Sequence, residues 1–160
     1  MKAESSIQET VGKLLRKKKL TISVAESCTG GLVASKLTDV PGSSDYFIDA
    51  IVAYSDEAKI SFLGVKNESI KKYGAVSRQV AREMALGVRK RSKTDIGIST
   101  TGIAGPSGGS KKKPVGTVWI GYSNKNITFA KNFIFTKDRL KNKDMMSDAA
   151  LEILKKQLLQ

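Results

Sequence analysis

Apolar residues at Ile7, Val11, Leu14 and Leu15 recur every three to four positions, which predicts an amphipathic helix from about Ser5 to Lys19. The pattern then changes. Thr21–Ala25 (TISVA) is a short β-rich run that predicts a buried strand, and it breaks into Glu26-Ser27-Cys28-Thr29-Gly30-Gly31. Helical spacing resumes as far as Thr38, and Val40-Pro41-Gly42 stops it. Phe47–Tyr54 predicts a second strand, and Asp56–Leu63 a helix closed by Gly64. Asn67 is placed to cap a short helical turn, and Ser77 a longer helix that carries Val80, Met84 and Val88. Ile96–Thr101 predicts a third strand. Val115–Tyr122 and Ile127–Phe135 predict a hairpin around Asn124-Lys125-Asn126. A last helix from about Asp138 to Leu159 presents Met145, Ala149, Ile153 and Leu154 to the core. Strands that alternate with helices and close on a hairpin give an α/β fold, expected as a three-layer α/β/α sandwich with a mixed, mainly parallel sheet. No repeat or linker divides the chain, so residues 1–160 are expected to form one domain.

Composition removes whole classes of chemistry. The chain has no histidine and one cysteine, Cys28. A Ser-His-Asp triad, a Cys-His pair, a His-ligated zinc, an internal disulfide and a thiolate cluster are all excluded. A serine enzyme built from these residues needs a lysine, carboxylate or tyrosine as its base. The 28 Lys and Arg against 15 Asp and Glu give a net charge of +13, which favours anionic partners. The basic residues are scattered, however, with runs only at Arg16–Lys19 and Lys111–Lys113. A nucleic-acid partner is therefore not expected, and solubility explains much of the charge. No stretch approaches the ~20 apolar residues of a membrane span, and Met1–Leu20 lacks a signal-peptide pattern. A cytoplasmic protein without membrane contact is expected.

Ligands of open α/β sheets bind at the carboxyl ends of parallel strands. Ser27 and Thr29 follow the first predicted strand, Tyr54 and Ser55 the second, and Thr100 and Thr101 the third. Lys59 stands about one helical turn beyond Tyr54, within reach of that edge. Ser27 at a strand–helix junction before Gly30 and Gly31 suits a nucleophile, because nearby unpaired N–H groups can hold an oxyanion. It equally suits a plain helix cap. Lys59 taken alone reads as a solvated helical lysine, and Cys28 as a small packing residue. The Gly102–Pro114 loop looks like a phosphate cradle but has neither P-loop nor GxGxxG spacing.

Several segments together are more specific: AESCTGG (Ala25–Gly31), LTDVPGSSDYF (Leu37–Phe47), VAYSDEAKISFLGV (Val52–Val65), GAVS (Gly74–Ser77), TGIAGPSGG (Thr101–Gly109) and KPVGTVWI (Lys113–Ile120). In this order they closely resemble the CinA C-terminal domain family, whose stand-alone members are nicotinamide mononucleotide amidases. Larger members carry a further N-terminal domain, and a chain of this length is expected to be a stand-alone form. The resemblance implies hydrolysis of the carboxamide of nicotinamide mononucleotide without metal or organic cofactor. It implies Ser27 as nucleophile, Lys59 as base and Tyr54 as assisting group. It places Cys28, Thr29, Gly30, Gly31, Thr101, Gly102, Gly105 and Arg139 at the substrate. A small-molecule nucleotide is the expected partner, in a homo-oligomer. A non-catalytic nucleotide-binding or regulatory protein of the same fold is the alternative. Two positions depart from the family pattern: Asp56 replaces the asparagine of YSNEAK, and Lys143 replaces a common arginine.

Overall fold

The computed structural model describes residues 5–160, so the first four residues of the segment read for a signal peptide lie outside it. The elements run α1 (Ile7–Lys18), β1 (Ile22–Glu26), α2 (Leu32–Thr38), β2 (Phe47–Val52), α3 (Asp56–Leu63), α4 (Asn67–Tyr73), α5 (Arg78–Ser92), β3 (Ile96–Gly102), β4 (Thr117–Ser123), β5 (Thr128–Ile134) and α6 (Arg139–Leu158). One five-stranded sheet has the order β2-β1-β3-β4-β5. Its core is parallel, β1 pairing with both β2 and β3, while β4 and β5 pair antiparallel. All three parallel strands therefore point their carboxyl ends to the same edge.

Strand alternation divides the interior into two layers. Ile22, Val24, Ile96, Ile98 and Ile120 face α1, α2 and α6, where they meet Val11, Leu15, Val33, Leu37, Met146 and Leu151. The opposite face carries Ala25 against Val80, Met84 and Val88 of α5 and Leu63 of α3. The expected α/β/α sandwich with a mixed sheet is thus the architecture found. Close packing of α5 depends on residues without a side chain. A methyl on Gly97 would run into the Ala85 carbonyl, and one on Gly121 into the Ala81 carbonyl. Ser99 fits the same tight interface by donating to the Ala81 carbonyl at 2.6 Å.

The structure corrects four local readings. Tyr54 lies beyond β2, whose pairing ends at Val52. β4 begins at Thr117, because Gly116 turns at φ 92° to bring the chain against Phe135. Asn67 is the first residue of α4; Lys66 holds the cap position, with no side-chain hydrogen bond. Met145 is 37% exposed, and Met146, one position on, fills the core. None of the helices among the described residues is long and apolar enough to cross a membrane.

Candidate active site

Ser27 sits where β1 stops being a strand. Its N–H still donates to the Thr100 carbonyl at 3.0 Å, and the chain then turns so that the Gly30 N–H reaches the Ser27 carbonyl at 3.1 Å. Gly30 and Gly31 take φ 60° and 104°, the left-handed region that glycine enters freely. The turn rests on Glu26, which is fully buried. Its carboxylate accepts the Val33 and Ala34 N–H groups at 3.0 Å each, capping α2 from the neighbouring strand. Thr29 also donates to Glu26 and in turn accepts the Thr100 hydroxyl at 2.7 Å. The first N–H groups of α2 are therefore occupied. The N–H groups of Cys28 and Thr29, inside the turn, have no acceptor among the described residues.

Ser55 caps α3 by accepting the Ala58 N–H at 3.1 Å, which sets Lys59 in the first turn of that helix. Lys59 is only 2% exposed, far from a solvated helical lysine. Its Nζ donates to Ser27 Oγ at 3.1 Å and to the Tyr54 carbonyl at 3.1 Å. Among the described residues no carboxylate forms an ion pair with it. Burial pushes the Lys59 ammonium below the usual lysine range, and the negative charge of Asp56 pulls it part of the way back. Burial acts oppositely on Cys28, whose thiol is pushed up to about 12 and so stays protonated.

A cleft of about 180 Å³ opens over this pair. Tyr54, Asp56, Ala75, Val76, Thr101, Gly102 and Arg139 line it with Ser27, Cys28 and Lys59. Arg139, at the start of α6, donates to the Gly105 carbonyl at 2.7 Å and to the Tyr54 hydroxyl at 3.3 Å. One guanidinium thus ties the glycine loop to the rim. Thr101 donates to the Ala75 carbonyl at 2.9 Å, fixing the segment ahead of α5 against the cleft. Buried Asn142 holds the other side of the loop, donating to the Ala104 carbonyl at 3.0 Å and to the Lys137 carbonyl at 2.9 Å.

Ser27, Cys28, Tyr54, Lys59, Thr101, Gly102 and Arg139 are thus brought together. The Thr29 side chain is not, since its hydroxyl turns inward to Glu26, and only its N–H stays in the turn beside Ser27. Gly105 contributes through its carbonyl on Arg139. Gly30 and Gly31 line an adjoining open hollow with Leu140 and Lys143. Glu26 and Asn142 escaped sequence reasoning. The one available signal for Glu26 was an acid just ahead of a helix whose cap position, Gly31, has no side chain.

The chain matches the family described as CinA C-terminal domain over residues 4–158. It is 49% identical over 154 residues to a putative competence-damage inducible protein of Caldicellulosiruptor saccharolyticus, covering 96% of this chain and 38% of that protein. A CinA-like protein of Chlorobium limicola is 53% identical over 153 residues, 92% of this chain and 36% of its own length. The chain thus spans under two-fifths of these curated relatives. Among solved structures, the competence damage-inducible protein A of Klebsiella pneumoniae superposes with a TM-score of 0.93 at 31% identity, over 96% of each chain. The competence/damage inducible protein CihA of Agrobacterium tumefaciens gives 0.90 at 36% identity, over 100% of each.

Proposed function

Since this chain belongs to the CinA C-terminal domain family, we propose that it hydrolyses the carboxamide of nicotinamide mononucleotide to nicotinate mononucleotide and ammonia. The observation that carries the reading is the hydrogen bond between buried Lys59 and Ser27. A lysine with no ion-paired carboxylate, depressed by burial, has a larger neutral fraction than a solvated lysine, and that neutral form accepts a proton. Ser27 Oγ bonds to the amide carbonyl carbon as Lys59 Nζ takes its proton. The Cys28 and Thr29 N–H groups receive the resulting oxyanion. The carbon–nitrogen bond then breaks, the departing nitrogen takes up a proton from the Tyr54 hydroxyl, the proton that Lys59 took from Ser27 passes to Tyr54 and leaves Lys59 neutral again, and ammonia departs. Water, deprotonated by Lys59, attacks the acyl-serine; the acid is released and Ser27 recovers its proton.

The substrate phosphate falls to Arg139 and the glycine loop. Two donors of Arg139 already hold Gly105 and Tyr54, and its remaining N–H groups are left for an anion. The test is ammonia release from nicotinamide mononucleotide and from free nicotinamide, assayed side by side with wild type and Ser27→Ala. Release from the mononucleotide alone, reduced by orders of magnitude in Ser27→Ala with an unchanged melting curve, is the expected result. Absence of ammonia from the wild type would leave a non-catalytic nucleotide binder. A variant within about tenfold of wild type would remove Ser27 as nucleophile.

A further inference from the structure

The opposite edge of the sheet carries a second concave site. α1 runs into β1 there, α5 runs into β3, and α6 ends beside them at Leu158. The last turns of these helices hold eight basic residues. Of these, Lys18 and Arg89 line the site, while Lys90 and Arg91 line a separate hollow, Lys156 another, and Arg16 donates to the Pro41 carbonyl. Among the described residues none of the eight is ion-paired with a carboxylate. A cavity of about 330 Å³ opens in this field, within the ~300–1,000 Å³ of pockets that hold small molecules. Its apolar wall includes Leu20, Ile96 and Leu158, and its cations are Lys18, Arg89 and Lys125.

Arg89 is half-buried and only partly satisfied. Its Nε donates to Ser123 Oγ at 3.0 Å, while its two Nη atoms make no hydrogen bond among the described residues. Lys125 lies in the β4–β5 turn, where no helix end accounts for a cation. The acid on this wall, Asp95, accepts the Thr21 N–H at 2.8 Å and the Thr21 hydroxyl at 2.9 Å through Oδ2 and keeps its charge, so the cavity wall sets three cations against one carboxylate.

We infer that this cavity is a second ligand site, which takes a small phosphorylated molecule with a flat apolar body, of the nucleoside monophosphate class. The planar guanidinium fork of Arg89 matches phosphate oxygens, and a low-dielectric wall concentrates the surrounding positive potential. Half-buried Leu20, backed by Ile96 and Leu158 that are each only 2% exposed, gives the ring its apolar contact. Three cations, Lys18, Arg89 and Lys125, converge on one hollow, which favours a compact anion over a nucleic-acid backbone. Ser27 stands at the far end of β1, five residues and about 17 Å away, so an occupant here is separate from anything bound beside Ser27.

Calorimetric titration of the full chain with adenosine 5′-monophosphate, adenosine and inorganic phosphate tests the inference. Saturable binding of the monophosphate is expected, at least tenfold tighter than either fragment. Arg89→Met should weaken it tenfold or more and Lys125→Glu severalfold, with ammonia release from nicotinamide mononucleotide unchanged. Arg139→Ala, at the other site, should leave it intact. Lys125 is in an exposed turn, so that variant carries the test if Arg89→Met fails to fold. No saturable binding to wild type, binding that survives both variants, or binding lost only in Arg139→Ala would overturn the site. Inorganic phosphate binding as tightly as the monophosphate would overturn the assignment of an apolar body. Binding is read without turnover, so the inference stands or falls apart from the amidase reading.

Discussion

As the proposed base, Lys59 faces two demands that conflict in a single side chain: burial favours the neutral form that accepts a proton, and the same burial opposes the charge that it then carries. Its neutral fraction grows as pH rises through its lowered folded-state value, so kcat/KM should climb with pH along that limb. Asp56 pulls the same value up. Asp56→Asn should therefore move the ascending limb to lower pH and raise activity at pH 7. Asp56 is exposed, so the displacement should stay under about one pH unit and shrink in high salt. A limb that stays put or moves to higher pH would show that the two charges are not coupled. The same lysine affects stability. With a folded value below the ordinary ~10.4, the unfolded chain binds more protons between the two values, and wild-type stability rises with pH across that window. Lys59→Met cannot titrate. Urea melts from pH 7 upwards should show wild type gaining on this variant as pH rises, while ammonia release from the variant is absent throughout. A pH-independent difference would mean that Lys59 is not depressed.

Among the elements, the β1–α2 junction decides whether Ser27 is held in place. Glu26 receives two helix N–H groups and a hydroxyl, so Glu26→Ala leaves three buried donors unanswered. A loss of roughly 2 kcal/mol or more in a denaturant melt is expected, together with a fall in kcat larger than any change in KM. Glu26→Gln keeps an acceptor and should recover part of both. A variant with wild-type stability and turnover would show that the turn holds itself. This junction also marks how far the sequence could be read. The helices and strands, the layers, and the convergence of Ser27, Tyr54, Lys59 and Thr101 on one edge were legible, because periodicity and a parallel core dictate them. Glu26 was not. An acid that closes a run of strand residues reads as the start of a loop until the neighbouring helix is seen to come back over it. Met146 was missed for a related reason: with Met145 beside it, the two differ by about 100° around the helix, and only the packed partner chooses between them. Lys66 as a cap without a hydrogen-bonding side chain carries no sequence signal at all.

At the scale of the molecule, the two ends of the sheet differ in kind. The carboxyl edge holds a small cleft, closed by Arg139 and Asn142 against the glycine loop. The other edge holds a wider hollow under a surplus of positive charge. The strands connect them, and the sheet they form is open, with β2 and β5 each bonded to a neighbour on one side only. Outer strands present unpaired N–H and C=O groups that can template another chain, and charged side chains guard against it. β5 has Lys131 and Asn132 exposed at its middle. β2 exposes Ile48 and Val52, where β5 exposes the apolar Ile134 alone, and the one charged residue of β2, Asp49, is half-buried and accepts the Ser92 hydroxyl. Aggregation on heating should therefore begin by strand addition at β2. Ile48→Lys is expected to raise the temperature at which light scattering sets in while leaving the unfolding midpoint nearly unchanged, and Lys131→Val should lower that onset by exposing a second adhesive rim.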